Sequence, residues 1–473
     1  MPIFLKMLKR LICSALLLTS MPSLAAFAPQ QALKQLPTGS DASLLVVNPA
    51  TNKIIYQHQA SHLQAPASTQ KLLTALAAKL YLGNDFRFST NLETQGNNVI
   101  LNFNGDPTLK SSDIANLLRQ LKQQGVSTIK GNLYLNGGHF TGFEHAVGSP
   151  WDMLTQCYSA PSSSITLEHN CFEGALYSNM AFGAKTRLHI PSHQPITATN
   201  DAIVVTKTQQ KEHHCELSLQ ANDNNNYHIT GCIQPKKDPL ALRFAVQNTT
   251  LYTTAIIKRE LKQAGINLDG KILRNDTISG KIIATHQSAP LTTLLYIMLK
   301  RSDNLFADNL AKTIGAKYFN QAGNYANGVA AIKAILKQKA NIDLSNTIMV
   351  DGSGLSRNNR LNTHDLMEVL TYIYQHPKLG LITDLPVAGK SGTLQYRKSV
   401  QTAPLKNNII AKTGSLFGTY NLAGIIKTKS GEPLLFVQLV TNYYPTDAEL
   451  KASPLPPINQ FEKQYYTSLY NNY

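Results

Sequence analysis

The chain has 473 residues, 43% of them hydrophobic, and 44 Lys and Arg against 28 Asp and Glu, which gives a formal net charge of +16 at pH 7. Its length exceeds one ordinary hydrophobic core and predicts two or three domains. The basic residues are scattered without a dense run, which argues against nucleic acid as a partner and favours at most a loose attraction to an anionic membrane or cell wall.

The first 28 residues have the regions of an export signal. Three basic residues precede the apolar run 11–18, and small residues follow up to Ala28. The apolar run is too short to span a bilayer as a permanent helix. We therefore expect a cleaved Sec-type signal peptide over residues 1–28 and a protein in the periplasm. Cys13 lies inside the apolar run and is expected to leave with the signal.

The mature sequence opens with alternating helical and strand-like patterns. A helix is expected near residues 30–35, and strands at 43–47 and 54–56 are joined by a turn. The apolar run 72–80 then predicts a buried helix.

A serine and a lysine stand at the head of this helix. Ser68 and Lys71 are three residues apart, so the lysine amine can reach the serine hydroxyl and act as the base for a serine nucleophile. A chain of this length contains about one or two such spacings by chance, and Ser127 with Lys130 forms another. That second pair precedes the strand-like residues 132–135, where its lysine would not turn back to its serine. Ser68 is therefore the predicted nucleophile.

The middle of the chain is predicted to be rich in β-structure. Short alternating strands with Asn, Gly and Asp turns follow from about residue 88, and the polar stretch 159–238 predicts a small β-rich module. Helical patterns interrupt or follow these strands at 113–123, 253–264 and 290–300.

Four cysteines follow the signal, and an even number in an oxidising compartment predicts two disulfides. Of the three possible connectivities, we favour Cys157 with Cys171 and Cys215 with Cys232, because these pairs close short loops. The alternative is a metal site at Glu212-His213-His214-Cys215. No second ligand pair stands at a zinc-like spacing, so we expect no metal and no other cofactor.

The second half of the chain is predicted to be helical to about residue 376 and then to end in strands at 420–427 and 433–441. The C-terminal residues 464–473 are polar and aromatic, and we expect no amphipathic stripe in them. Strands at both ends of the mature chain, with helices between, indicate one domain that is split by an insertion.

Two further short motifs lie in this half. Ser302-Asp303-Asn304 stands at the end of a helix, and Lys412-Thr413-Gly414 is predicted on a strand, where the missing side chain of the glycine would let a substrate backbone approach. Each motif has a decoy, Ser356-Arg357-Asn358 for the first and Lys390-Ser391-Gly392 for the second. The order of the three motifs along the chain argues against coincidence.

In this order the motifs resemble those of the penicillin-recognising serine enzymes. The chain is most similar to the class C low-molecular-mass penicillin-binding proteins, the D-alanyl-D-alanine carboxypeptidase/endopeptidase family of the peptidase S13 type. The resemblance covers nearly the whole mature chain. Four further stretches carry it, namely Gly105–Leu109, Cys157–Pro161, Asp351–Arg357 and Ala411–Leu416.

The resemblance implies an α/β (α+β) fold, in which a β-lactamase/transpeptidase-like domain contains nested inserted β-rich domains. The catalytic domain is expected over residues 29–88 and 287–473. An inserted domain II is expected over residues 89–160 and 239–286, and a nested domain III over residues 161–238.

The resemblance also implies acyl transfer on peptidoglycan stem peptides. Ser68 would attack the carbonyl of a D-alanyl bond while Lys71 takes its proton, and burial together with a second cation, Lys412, would lower the pKa of Lys71. Ser302 would pass a proton to the leaving amine, and Asn304 would hold Lys71 and the substrate amide. Penicillins would act as inhibitors.

Substrate-binding roles are implied for the third motif and its neighbour. Backbone N–H groups of Ser68 and Ser415 would form the oxyanion hole. Lys412, Thr413, Gly414 and Ser415 would hold the C-terminal carboxylate of the substrate.

Three more residues are implied in the choice of substrate. An acid, an aromatic and an arginine, matched here by Asp152, Tyr158 and Arg357, would hold a diaminopimelate side chain. Asp152 lies one residue from the family's spacing, where Met153 stands, and Phe417 replaces a polar residue common in the family. In the alternative interpretation, Tyr158 packs beside a disulfide and Asp152 caps a turn.

Two other functions share part of this pattern. A serine β-lactamase has the first and third motifs, but it has a far shorter insertion and needs a group that activates the deacylating water. A non-catalytic wall-binding protein is the other alternative, and all the catalytic residues being present argues against it. The sequence leaves open the balance between carboxypeptidase and endopeptidase action, and the choice between a monomer and a homodimer.

Overall fold

The computed structural model describes Phe27 and residues 29–473. The predicted signal peptide lies outside these residues, apart from Phe27. The helices are α1 (Pro29–Leu33), α2 (Lys71–Tyr81), α3 (Ser111–Gln123), α4 (Lys207–Glu212), α5 (Thr249–Ala264), α6 (Leu291–Arg301), α7 (Asn304–Phe319), α8 (Tyr325–Ala340), α9 (Thr363–Gln375), α10 (Asp447–Lys451) and α11 (Pro457–Asn472).

The strands alternate with these helices along the chain. They are β1 (Asp41–Asn48), β2 (Lys53–His58), β3 (Ser89–Gln95), β4 (Asn98–Phe103), β5 (Thr128–Ile129), β6 (Leu133–Asn136), β7 (Cys171–Tyr177), β8 (Arg187–His189), β9 (Thr197–Asn200), β10 (Ile203–Val204), β11 (Ser218–Ala221), β12 (Asn226–Thr230), β13 (Cys232–Ile233), β14 (Leu240–Ala245), β15 (Asn267–Leu268), β16 (Ile272–Arg274), β17 (Lys281–Gln287), β18 (Ile409–Leu416), β19 (Thr419–Lys427) and β20 (Pro433–Thr441).

Strands from both ends of the chain form the main sheet. Its order is β18-β19-β20-β1-β2, and all neighbours are antiparallel. The register places Leu45 opposite Val437. Six successive side chains of β1 are buried. Since alternate side chains point to opposite sides of a strand, both faces of β1 are covered. The sheet therefore needs a hydrophobic layer on each side.

Helices supply both layers. Leu45 packs in one core with residues of α2 and α6–α9, among them Leu76 and Leu295. Leu44 and Val46, on the other face, pack in a second core with residues of α11. The catalytic motifs lie in the first layer and along the β18 edge.

The prediction that the chain ends in strands is wrong, because α11 follows β20. Phe461, Tyr465, Tyr466 and Leu469 recur at helical spacing and are all 0 or 1% exposed. The expectation that residues 464–473 lack an amphipathic stripe fails because tyrosines form much of the buried stripe. The Tyr466 hydroxyl donates to Gln438 Oε1 at 2.8 Å, which satisfies its polar atom inside the core.

Residues 89–287 form other sheets. A five-stranded mixed sheet has the order β16-β6-β4-β3-β17, and α3 and α5 pack in the same core as its residues. Smaller sheets have the orders β14-β7-β8 and β11-β12-β9, and the pairs β10-β13 and β15-β5 complete the set within the described residues. The mixed helix and sheet fold expected from the sequence is confirmed. None of the helices described has the length and apolarity to cross a membrane.

The two predicted disulfides are confirmed. Cys157 pairs with Cys171 and Cys215 with Cys232, with Cα atoms 5.4 and 5.8 Å apart. Cys215 is therefore not free to bind a metal as a thiolate. Between residues 29 and 473, no group of three or more His, Cys, Asp or Glu side chains is arranged to hold a metal ion.

Candidate active site

Ser68 lies in a tight turn immediately before α2. The turn is a 3₁₀ helix, Ala67–Gln70, and Lys71 is the first residue of α2. Ala67 has a φ of 47°, in the left-handed region that non-glycine residues rarely adopt. Gly354 backs this turn so closely that a β carbon there would lie 1.9 Å from the Ala67 carbonyl oxygen. The segment around Gly354 thus fixes the turn that presents Ser68.

Three oxygen atoms surround the Lys71 amine. Its Nζ lies 2.9 Å from Ser68 Oγ, 2.6 Å from Asn304 Oδ1 and 2.8 Å from the Ser353 carbonyl oxygen. The last two atoms only accept hydrogen bonds, whereas the serine hydroxyl can also donate. A neutral amine has two N–H groups for these acceptors and one lone pair for the hydroxyl of Ser68. The geometry therefore suits Lys71 as a general base.

Burial favours this neutral form. It lowers the pKa of Lys71 to about 8, although the charges of Asp308, Asp351 and Asp303 oppose the change. The pKa of Lys412 is lowered well below its ordinary value by burial and by the charge of Lys71. The expected effect of burial on Lys71 is confirmed. The expected lowering of the Lys71 pKa by the charge of Lys412 is not found. The charge of Lys71 lowers the pKa of Lys412 instead.

The Ser302-Asp303-Asn304 motif turns the chain from α6 into α7. Ser302 ends α6 with a left-handed φ of 61°. Asp303 caps α7, because its side chain accepts a hydrogen bond from the Phe306 N–H at 3.2 Å. This turn places Ser302 Oγ 2.8 Å from Lys412 Nζ, while Asn304 lies against Lys71. Two hydroxyl–amine pairs therefore stand in one site.

The third motif lies on β18, as predicted, at the edge of the main sheet. Lys412 is buried and Ser415 is exposed. The Thr413 hydroxyl lies 2.7 Å from that of Thr393. The predicted reason for Gly414 is wrong: a β carbon there would lie 2.7 Å from the Pro66 carbonyl oxygen, so the glycine lets β18 pack against the Ser68 turn.

Tyr158 contacts the site through Asn304, and the charges of Asp152 and Arg357 both act on its phenol. Tyr158 is 47% exposed, beside the Cys157–Cys171 disulfide, and its carbonyl oxygen accepts a hydrogen bond from Asn304 Nδ2 at 2.7 Å. Burial and the charge of Asp152 raise the pKa of the Tyr158 phenol, and Arg357 opposes them. Arg357 also donates to the Phe417 carbonyl oxygen at 3.2 Å.

The decoy motifs have other surroundings. Ser127 immediately precedes β5, which pairs with β15. Among the described residues no hydrogen bond joins the side chains of Ser127 and Lys130. Ser356 donates its hydroxyl to the Val147 carbonyl oxygen at 2.6 Å, in a structural contact.

Sequence reasoning missed a buried carboxylate network beneath Lys71. Asp351 accepts hydrogen bonds from the Gly354 N–H at 2.7 Å and the Ser356 N–H at 2.6 Å. These bonds shape the loop that holds the Ser353 carbonyl oxygen against Lys71. Asp308 lies next to Asp351. Burial together with the charge of Asp351 raises the pKa of Asp308 to about 8. The Asp-Gly-Ser-Gly sequence at 351–354 signals a tight turn, and the stretch Asp351–Arg357 carries part of the family resemblance, but neither feature predicted the network.

His169 was also missed. Its Nε2 lies 2.8 Å from Asp303 Oδ2. His169 is the middle of three successive residues with left-handed φ, between Glu168 and Asn170. Burial lowers the pKa of His169, but the Asp303 carboxylate outweighs burial and the net pKa is raised. This contact supports the motif that carries Ser302 and Asn304.

Comparisons with known proteins identify the family of the chain. Residues 26–465 match the model of the D-Ala-D-Ala carboxypeptidase 3 (S13) family. The chain is 37% identical over 461 residues to the D-alanyl-D-alanine carboxypeptidase DacB of Haemophilus influenzae, covering 95% of each chain. It is 25% identical to a D-alanyl-D-alanine carboxypeptidase of Actinomadura sp. (strain R39), over 87% of this chain and 79% of that one.

Solved structures give the same result. The crystal structure of penicillin binding protein 4 (dacB) from H. influenzae superposes with a TM-score of 0.86 at 37% identity, covering 93% of this chain and 99% of that one. The structure of that protein complexed with a β-lactam superposes with a TM-score of 0.82 at 36% identity, with the same coverage. The resemblance seen in the sequence is confirmed, and the chain belongs to the D-Ala-D-Ala carboxypeptidase 3 (S13) family.

Proposed function

We propose that the protein is a serine DD-peptidase that hydrolyses D-alanyl-D-alanine ends of peptidoglycan, its D-alanyl-diaminopimelate cross-links, or both, through an acyl-enzyme on Ser68. The family and the relatives support the enzyme class, a serine-type D-Ala-D-Ala carboxypeptidase, and the β-lactam complex of a relative supports inhibition by β-lactams. The single observation that carries the assignment of the nucleophile is the buried Lys71 amine 2.9 Å from Ser68 Oγ.

Acylation follows from the contacts of the two hydroxyl–amine pairs. Lys71 takes the proton of Ser68 as Oγ bonds to the D-alanyl carbonyl carbon, and the oxyanion is held by the backbone N–H groups of Ser68 and Ser415. The C–N bond then breaks, and Ser302 gives its proton to the leaving amine. Lys412, 2.8 Å from Ser302 Oγ, can return a proton to that hydroxyl.

Hydrolysis then completes the cycle. Lys71 first gives up to solvent the proton that it took from Ser68, and Lys412 regains one from solvent. Water then bonds to the acyl carbon and loses a proton to the neutral Lys71 amine, the ester C–O bond breaks, and Lys71 returns this proton to Ser68. In the acyl-enzyme Asn304 holds Lys71 in place through its Oδ1 atom. Thr413, Gly414 and Ser415 lie on the β18 edge, and we assign the C-terminal carboxylate of the substrate to this edge, next to the Lys412 amine.

The lifetime of the β-lactam adduct separates this function from that of a β-lactamase. We expect purified protein to release D-alanine from a pentapeptide ending in D-Ala-D-Ala. With benzylpenicillin, time-resolved mass spectrometry is expected to show an acyl-enzyme that persists long after free penicillin is removed. Rapid turnover of the adduct without D-alanine release would instead identify a β-lactamase, and the absence of both reactions would identify a non-catalytic protein.

We also propose that Asp152, Tyr158 and Arg357 hold the side chain of the diamino acid in the substrate. The electrostatic influence of Asp152 and Arg357 on the Tyr158 phenol supports this grouping. An acid and a guanidinium together fit the ammonium and carboxylate at the end of meso-diaminopimelate. We expect peptides with this residue to have a higher kcat/KM than lysine analogues. Equal kcat/KM values for the two peptides would contradict the assignment.

The organisation and location of the protein complete the proposal. We assign residues 29–88 and 287–473 to the catalytic domain, residues 89–160 and 239–286 to domain II, and residues 161–238 to domain III. Apart from Gln287 at the end of β17, the five-stranded sheet β16-β6-β4-β3-β17 lies within the residues assigned to domain II, which supports this division, whereas β14 of domain II pairs with β7 of domain III. We place the protein in the periplasm, where peptidoglycan is reached, and the disulfides are consistent with an oxidising compartment.

A further inference from the structure

A large cleft leads away from the active site across the inserted sheets. Its volume is about 870 Å³, within the size range of ligand pockets. Ser302 and Asn304 lie at its catalytic end, and β14, β7 and part of β11 form its length. The Cys157–Cys171 disulfide lies in its wall. Ser68, Lys412 and Ser415 do not line the cleft, so it opens from the Ser302 side of the site.

One cation at the head of the cleft has no partner. Arg301 is exposed, lines the cleft and immediately precedes Ser302 in the chain. Among the described residues its guanidinium makes no hydrogen bond or ion pair. Arg243, farther along, is paired with Glu173 at 3.2 Å. Arg301 is therefore available to a carboxylate of a bound molecule, and the apolar side chains Leu219 and Leu242 offer a wall to its aliphatic parts.

The proposed reaction places a leaving group at this end of the cleft, because Ser302 protonates the leaving amine. When a free chain end is trimmed, the leaving group is a single D-alanine. When a cross-link is cut, the leaving amine belongs to a diamino acid that carries a second, acidic stem peptide. That peptide must extend beyond the space that a D-alanine fills.

We propose that this cleft is a subsite for the leaving stem peptide of a cross-link, and that Arg301 pairs with one of its carboxylates. The inference rests on the proposed function and adds the position of the second peptide. It gives the inserted sheets a part in substrate choice: they favour cross-linked peptides over free chain ends. Tyr158 lines the cleft as well as belonging to the proposed diaminopimelate site, whereas Asp152 and Arg357 do not line the cleft.

Two variants test the subsite, each on two substrates. Arg301→Gln removes the free charge, and Ala241→Trp places an indole in the cleft from an exposed position of β14. For Arg301→Gln we expect about a tenfold lower kcat/KM on a cross-linked muropeptide dimer, the loss expected for one charge-assisted hydrogen bond. For Ala241→Trp we expect a loss at least as large. D-alanine release from a monomeric pentapeptide is expected to change less than about twofold, since a single D-alanine stays at the Ser302 end of the cleft and does not extend to β14 or the Arg301 guanidinium.

The control is Gln220→Trp, an exposed position of β11 that does not line the cleft, which should leave both rates unchanged. The subsite proposal would be wrong if kcat/KM fell equally on the dimer and the pentapeptide. It would also be wrong if both variants cleaved the dimer as fast as the wild type. A wild-type protein that trims the pentapeptide but leaves the dimer intact would also overturn it while sparing the DD-carboxypeptidase assignment. A wild-type protein inactive on both would refute the proposed function and the subsite with it.

Discussion

Ser68→Ala is expected to lower kcat/KM for D-alanine release by at least about 10⁴-fold, since loss of a serine nucleophile removes the covalent route altogether. The same variant should take up no labelled penicillin. Ser68 is only partly buried and its hydroxyl has one side-chain contact, to Lys71, so the change should not unfold the protein. Rates of D-alanine release and the mass of the protein after exposure to penicillin measure both effects.

The chain offers a matched control for this variant. Ser127 also stands three residues before a lysine, but it is exposed beside β5. Ser127→Ala should therefore keep full activity and full penicillin uptake. Retained uptake in Ser68→Ala, or lost uptake in Ser127→Ala, would show that the nucleophile is assigned to the wrong residue.

Lys71→Met is expected to lower kcat/KM by about 10² to 10⁴-fold, the contribution of a positioned general base. In the wild-type protein, kcat/KM should rise with pH around a midpoint near 8, because burial lowers the pKa of Lys71 to about 8 and only the neutral amine can take the serine proton. Below this midpoint the amine is protonated and the rate falls. The residual rate of Lys71→Met should lose this rise.

A double variant checks that the two residues act together. Ser68→Ala with Lys71→Met should be hardly slower than Ser68→Ala alone, because the base has no proton to remove once the hydroxyl is gone. Circular dichroism should confirm that the methionine variant is folded, since it leaves Asn304 Oδ1 and the Ser353 carbonyl oxygen without their donor. A rate that is independent of pH between 6 and 9 in the wild type would contradict the role of Lys71.

Local sequence patterns predicted strands of the main sheet. The strand expected at 433–441 is β20, and that expected at 420–427 is β19 with one residue fewer at its start. Each of these strands is an almost continuous run of buried residues, and a clear turn lies between them. The three motifs were identifiable because short, fixed spacings carry them and because their order is informative.

Features that depend on distant packing were not predictable in this way. The Asp308–Asp351 pair joins two acids that have no common pattern, and only the fold places them under Lys71. Gly414 seemed to face a substrate because a strand position alone does not tell what packs against it. The residues that line the Arg301 cleft come from several strands and from the turns at 156–158, 169 and 301–304, so no single segment of the sequence predicts the cleft.

The pairing of β1 with β20 also sets when the enzyme can first work. The chain is made from its N-terminus, so Ser68 exists long before β18, which carries Lys412, and before β20, which joins β18 and β19 to β1. Such distant pairings form late because a long loop must close first. The growing polypeptide therefore carries its nucleophile in an unfinished site. The site is therefore complete only once the C-terminal strands β18, β19 and β20 have joined β1.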